Sequence, residues 1–221
     1  MLDIFVNGEG GLTTAGYIVC VIIGVLLFAA ALYFAGKGTG KKKMSTKQLV
    51  FCAMAMAVAF VTSYFKIFML PWGGSVTLCS MLFIVLIGNW YGVQAGMLVG
   101  FSYGLLQFIQ EPYVLSLFQV CCDYVLAFAA LGVSGFFRKS KNGLIKGYIA
   151  AVFARGFFHS LGGYLYWMEY MPENFPQVLK SIYPIVYNYS YLLAEAVITI
   201  LIISVPAVAN ALSRIKETAQ E

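Results

Sequence analysis

Long apolar runs broken by short polar stretches dominate the chain from residue 13 to residue 211. A helix needs about 20 mostly apolar residues, at about 1.5 Å rise each, to cross a bilayer. On that measure the runs predict seven spans, near 13–36, 47–68, 77–93, 94–110, 114–137, 146–168 and 183–211. Each is expected to be helical, because lipid offers no partner to an unpaired backbone N–H or C=O. The third and fourth are short and meet at Asn89-Trp90-Tyr91-Gly92. The fold class this predicts is an all-α membrane protein.

Composition agrees. Hydrophobic residues make up 61% of the 221 and charged residues only 10%, against about 25% charged in a soluble domain. Eleven of the fourteen lysines and arginines fall in three places. These are Lys37 to Lys47, Arg138 to Lys146, and Arg214 with Lys216. Alternating spans put all three on one side. The positive-inside rule makes that side cytoplasmic, with the N-terminus outside and the C-terminus within. No basic stretch interleaves with exposed aromatics, so a nucleic-acid partner is not expected. The five cysteines, Cys20, Cys52, Cys79, Cys121 and Cys122, lie in apolar runs without C-x-x-C spacing, which argues against a zinc site or a disulfide framework. Residues 1–11 carry Asp3 and Glu9 and no basic residue, and the run from Leu12 to Gly36 is too long for a signal core. It is expected to remain as a span, tethered by the glycine-rich basic segment 36–43.

Small residues recur at helical spacing. Gly88, Gly92, Gly96, Gly100 and Gly104 are four apart and predict a flat stripe for close helix packing. Ala53 and Ala57, with Ala55 and Ala59 nearby, make a second stripe that suits either internal packing or a partner.

Ionisable groups inside a membrane are costly and tend to mark function. Four qualify: Asp123, Arg155, His159 and Glu195. At about 1.5 Å per residue, Asp123 and His159 both sit about 13 Å from the outer face, and Asn188 about 8 Å. Tyr113, Tyr124, Trp167, Tyr183 and Tyr187 surround that layer. Arg155 and Glu195 fall deeper, about 20 Å in, and are expected to pair as a buried salt bridge; the alternative is that Arg155 snorkels to the cytoplasm. His159, Gly163 and Trp167 share one helix face, where the glycine leaves a gap that a flat ring could enter; plain core packing explains the same spacing. Asp123 has no basic residue in its layer. A lone carboxylate among aromatic rings suits an organic cation, while a neutral, internally bonded Asp123 is the alternative. Trp72, in Pro71-Trp72-Gly73-Gly74, is placed to cap the pocket or to anchor at the interface.

With these residues in view, the chain resembles the ThiT family, the thiamine-specific substrate-binding (S) components of energy-coupling factor (ECF) vitamin transporters. The resemblance covers about residues 46–214. It rests on Tyr113-Val-Leu-Ser-Leu-Phe-Gln119 followed by Asp123-Tyr124, on Leu131-Gly132-Val-Ser-Gly135-Phe-Phe-Arg138, on Phe157-Phe158-His159 with Gly163 and Trp167, and on Tyr183 and Asn188. It implies a six-helix S-component bundle at 44–221, preceded at 1–43 by an additional N-terminal transmembrane helix and basic linker. It implies a bacterial plasma-membrane protein, without cofactor, that captures extracellular thiamine. The vitamin site would be lined by Tyr113, Asp123, Tyr124, His159, Gly163, Trp167, Tyr183 and Asn188, with Trp72 loosely aligned to a family tryptophan. The Ala53 and Ala57 stripe resembles the A-x-x-x-A surface that docks on the transmembrane coupling subunit. The chain has no G-x-x-x-x-G-K-[ST] motif, so energy would come from two partner ATPase subunits. Rival readings are the same scaffold for a thiamine precursor or another vitamin, a proton-coupled secondary transporter using Asp123 and Glu195, and an intramembrane enzyme using Asp123 and His159. The last lacks an H-E-x-x-H or G-x-S-x-G motif.

Overall fold

A computed structural model of the protein describes residues 44–221 and a few isolated earlier positions. The expected span 13–36 and the basic segment 37–43 otherwise lie outside the described residues. Helix α1, Thr46–Ser63, starts where the Ser45 hydroxyl accepts the Gln48 N–H at 3.1 Å. It ends sooner than the run 47–68 suggests, because residues beyond it form a hairpin. Strand β1, Lys66–Met69, pairs antiparallel with β2, Ser75–Thr77, around a single turn at Pro71–Gly73. Gly73 closes that turn at φ +95°, a conformation that favours glycine.

Helix α2, Ser80–Tyr91, is shorter than the run 77–93 suggests, because Ser75–Thr77 belongs to the hairpin, while α3, Val93–Gln110, follows the run 94–110. They meet at Gly92, whose φ of +101° breaks the helix. The glycine stripe is therefore split between two helices rather than continuous on one. Ten of the twelve α2 residues are buried. A helix apolar all round and wrapped by protein forms the centre of a bundle.

Helix α4, Leu117–Phe137, is irregular: α-helical at its start, π-helical over Cys121–Leu126 and 3-10 over Ala130–Phe137. Helix α5, Gly143–Tyr166, and helix α6, Tyr183–Ser204, complete the bundle. The last predicted span, 183–211, stops at Ser204. Val205 precedes Pro206 and is extended at ψ 125°, since the proline ring disfavours a helical conformation before it. A separate helix α7, Pro206–Gln220, then folds back over the ends of α1 and α2. There the Gln220 amide donates to Trp90 O at 2.6 Å and the Tyr91 hydroxyl to Ala219 O at 2.9 Å.

Among the described residues three helices are long and apolar enough to cross a membrane, Thr46–Ser63, Leu117–Phe137 and Gln177–Ser204. Phe153 and Phe157 on α5, and Leu193, Val197 and Leu201 on α6, are exposed at four-residue spacing. Outward apolar rows of this kind face lipid, and the protein is an all-helical membrane protein apart from the one small hairpin among the described residues.

The glycines weld α3 to α4. A Cβ on Gly100 would lie 2.2 Å from Phe128 O, and one on Gly104 2.1 Å from Tyr124 O. From the other side, a Cβ on Gly132 would lie 2.2 Å from Met97 N. Backbone meets backbone, so no side chain can move aside. Gly100→Ala is expected to cost about 1–3 kcal/mol of stability through overpacking. Thermal unfolding in detergent should show a clearly lowered midpoint, whereas Met97→Leu, at a half-exposed position, should leave it near wild type.

Candidate functional site

The geometry starts with α4. The Ser116 hydroxyl caps it by accepting the Gln119 N–H at 3.1 Å, and the π-helical turn that follows carries Asp123. π-Helical turns within α-helices widen the coil and re-aim side chains, often at functional sites. Here the turn directs the Asp123 carboxylate toward α5, where Gly162 makes room: a Cβ there would lie 3.1 Å from Asp123 Oδ1. His159 Nδ1 lies 3.1 Å from the same oxygen, and the Gln119 amide donates to Oδ2 at 2.8 Å. Gln119 is itself fixed, because its Oε1 accepts the Leu115 N–H at 3.1 Å.

Beside this carboxylate lies a cavity of about 420 Å³. Asp123, His159, Gly163 and Asn188 line it together with the rings of Tyr113, Tyr124, Trp167 and Tyr183. Tyr113 and Trp167 stack with centroids 4.9 Å apart at 31°, and Tyr170 packs on Trp167 at 5.1 Å. Burial and the neighbouring Tyr170 hydroxyl push the Tyr113 phenol up to about 12, so this ring brings no negative charge. Tyr124 donates to Glu111 O at 2.7 Å. Asn188 is largely spent within the fold, its amide donating to Pro184 O at 2.8 Å and to His159 O at 3.3 Å while Oδ1 accepts from Tyr191 at 3.0 Å. Gly163 serves packing as well as space, since a Cβ there would lie 2.6 Å from Pro184 Cβ.

The hairpin crosses the mouth. Gly73 and Gly74 line the cavity, and the Gly74 N–H donates to the Tyr187 hydroxyl at 3.1 Å, which in turn donates to Pro71 O. Lys66 pairs with Glu111 at the end of α3. Trp72 has its backbone in the turn between these contacts; its side chain lies outside the described residues.

Two expectations fail. Glu195 does not pair with Arg155. Its Oε2 accepts the Thr77 N–H at 2.9 Å and the Thr77 hydroxyl at 2.8 Å, and its Oε1 accepts the Met81 N–H at 3.4 Å. Cys79, before α2, makes no side-chain cap. Glu195 supplies that cap from α6, where the helix dipole favours a negative charge. Arg155 lays its guanidinium on the Phe128 ring, Cζ 4.2 Å from the centroid, and donates its Nε–H to His159 Nε2 at 3.2 Å. Asp123 is therefore not alone in its layer: a cation stands one imidazole away. Both Arg155 and Glu195 line the inner end of the cavity. No group of three or more metal-ligating side chains occurs among the described residues.

Residues 49–214 match the family model described as thiamine transporter protein (Thia_YuaJ). The chain belongs to this family. Among relatives, the thiamine transporter ThiT of Bacillus subtilis (strain 168) is 31% identical over 153 residues, spanning 61% of this chain and 75% of the relative. The fold is similar to that of the solved structure of ThiT from Listeria monocytogenes, with a TM-score of 0.62 and 26% identity over 72% of this chain and 91% of that one. The family is one of transporters, not of enzymes. The match begins at residue 49, so the expected span 13–36 lies outside it.

Sequence reading missed Gln119 and Gly162. Gln119 was within reach, because it stands four residues before Asp123, one helical turn away; Gly162 was hidden by its neighbour Gly163. The Glu195 cap yields a prediction. Glu195→Ala leaves the buried Thr77 and Met81 donors without acceptors, at about 1–3 kcal/mol for each unsatisfied group. Hydrogen exchange should then speed up at the Thr77 amide and through β2, with a smaller change for Glu195→Gln, whose amide oxygen still accepts from Thr77.

Proposed function

We propose that this protein is the thiamine-binding S component of an ECF-type transporter. The observation that carries the reading is the Asp123 carboxylate, held at both oxygens by donors and set in an aromatic-rimmed cavity. Its volume of about 420 Å³ falls within the range of about 300–1,000 Å³ usual for small-molecule sites. Thiamine has a cationic thiazolium and a flat aminopyrimidine. Asp123 answers the charge; Trp167, Tyr113 and Tyr124 offer ring faces. His159, its ring nitrogens engaged by Asp123 and Arg155, offers its imidazole face, and Asn188 Oδ1 a remaining lone pair, beside Gly163. Tyr183 and the hairpin turn that carries Trp72 close the outer side.

The cavity opens where α1, α3 and α5 end and α6 begins. Lys47, Arg138, Lys139, Lys141, Lys146, Arg214 and Lys216 lie at the opposite end, where Lys47 and Glu221 approach to 4.0 Å. By the positive-inside rule the mouth faces outside and the C-terminus the cytoplasm. Residues 44–221 serve as the substrate-binding domain, with 1–43 as an added transmembrane helix and linker. Ala53 and Ala57 are exposed on the outer face of α1, beside the exposed Met54 and Val58, which supports docking on a transmembrane coupling subunit. Without a phosphate-binding loop of its own, the protein draws on two ATPase subunits of the complex to deliver thiamine inward.

Titration of thiamine into detergent-purified protein is expected to quench tryptophan fluorescence saturably through Trp167. Asp123→Asn should weaken binding by about tenfold or more, as for a lost charge-assisted contact of about 1.5–3 kcal/mol, and Trp167→Ala should remove most of the signal. Absence of both quenching and binding heat would reject the reading. Tighter binding of a thiamine precursor in competition would reassign the ligand, and uptake that persists without any ATPase partner would reject the ECF mechanism.

A further inference from the structure

The chain contains one histidine in 221 residues, and both of its ring nitrogens are engaged. His159 Nδ1 lies 3.1 Å from Asp123 Oδ1, and His159 Nε2 lies 3.2 Å from Arg155 Nε. An arginine guanidinium has only N–H donors and no acceptor. The contact at Nε2 therefore requires a lone pair on that nitrogen, and the ring proton sits on Nδ1, directed at the carboxylate. The result is a one-way chain of donors: Arg155 to His159, and His159 to Asp123, whose other oxygen is filled by Gln119.

Arg155 is well placed to hold this arrangement. The Phe128 ring lies 4.2 Å from its Cζ, which fixes the guanidinium plane and offsets its charge. No carboxylate lies within 4.0 Å of it among the described residues, so no acid competes for the Nε–H. Tyr191 stands edge-on to the imidazole, centroids 6.4 Å apart, with its hydroxyl given to Asn188. It makes no bond to either ring nitrogen.

We propose that Arg155 is a positioning residue of the ligand site: by occupying the Nε2 lone pair it keeps His159 a neutral Nδ1–H imidazole, so that the negative charge of Asp123 remains for a cationic ligand. With Nε2 free, the ring could take a second proton beside the carboxylate. The resulting imidazolium would neutralise Asp123 and repel a thiazolium. Arg155 thus acts through His159 and not by touching the ligand. The inference rests on the thiamine reading for its consequence but not for its geometry.

Nitrogen-15 labelling of histidine reports His159 alone. In ligand-free protein at neutral pH the spectrum should show one protonated ring nitrogen, Nδ1, and one bare one. Arg155→Met should bring up the doubly protonated imidazolium, and Arg155→Lys, which keeps an N–H donor and the charge, should restore the neutral pattern. Thiamine affinity should fall by about tenfold or more in Arg155→Met, the loss expected when a hydrogen bond to a charged group goes. The same substitution placed on His159→Phe should cost nothing further. An imidazolium or an Nε2–H ring in the wild-type spectrum overturns the proposal, and needs no variant to fold. So does an unchanged spectrum in Arg155→Met, or a full second loss of affinity in the double variant, which would make Arg155 a direct contact. Failure of thiamine to bind wild type would remove the ligand reading, while the spectra would still judge Arg155.

Discussion

The carboxylate of Asp123 sits in an α-helical bundle whose surroundings are lipid and packed rings. A charge in such a place costs several kcal/mol unless fixed donors meet it. Here the donors come from two helices: Gln119 one turn earlier on α4, and His159 across the seam on α5. Neither is a full positive charge, so the acid is held but not cancelled. What stays uncancelled is what a positively charged heterocycle would bind. Everything near it serves this balance: the π-helical turn that aims the acid, the glycine that makes room for it, and the arginine that stands behind the imidazole rather than against the carboxylate.

Mechanical precision comes from seams without side chains. Where Gly100 and Gly104 of α3 meet α4, backbone oxygens would lie within 2.2 Å of any added Cβ. Packing of that kind cannot slide, and it fixes α4 just where Asp123 and Tyr124 leave it. The inner end is fixed differently. Glu195 reaches from α6 to cap α2 and to hold Thr77 of the hairpin, so one carboxylate joins the floor of the cavity to the strand that leads to its roof. The roof is tied by the Tyr187 hydroxyl and by the pair of Lys66 with Glu111. The two intramembrane acids thus differ: Glu195 is satisfied by donors of the hairpin and α2, and Asp123, held by Gln119 and His159, is the acid proposed to keep its charge for a ligand.

The two ends of the bundle differ in kind. One carries most of the basic residues, the fold-back helix α7 and the Lys47 approach to Glu221. The other carries aromatic rings, the hairpin and the cavity mouth. On the proposed function, this polarity lets the ligand enter at the end that carries the rings and the hairpin. The exposed alanines of α1 stand on the lipid-facing surface, where an uncharged, nearly flat face can be given to another helix.

Apolar run lengths were enough to read the membrane class and the positions of most helices, because the demand for paired backbone groups in lipid leaves few other solutions. Depth arithmetic brought Asp123 and His159 to one layer, since rise per residue is nearly constant along a helix. Run length could not reveal that residues 66–77 turn into a hairpin, that Val205 ends α6, or that α4 changes its winding, because each depends on local dihedrals that apolar character does not encode. Nor could depth tell which way a side chain leaves its helix. Arg155 and Glu195 were matched by depth alone, yet rotation about the helix axes sends one to Phe128 and His159 and the other to the open N-terminus of α2. Sequence fixes how far along a helix a charge stands; only the packed bundle decides which neighbour it faces, because that follows from how every helix is turned against the others.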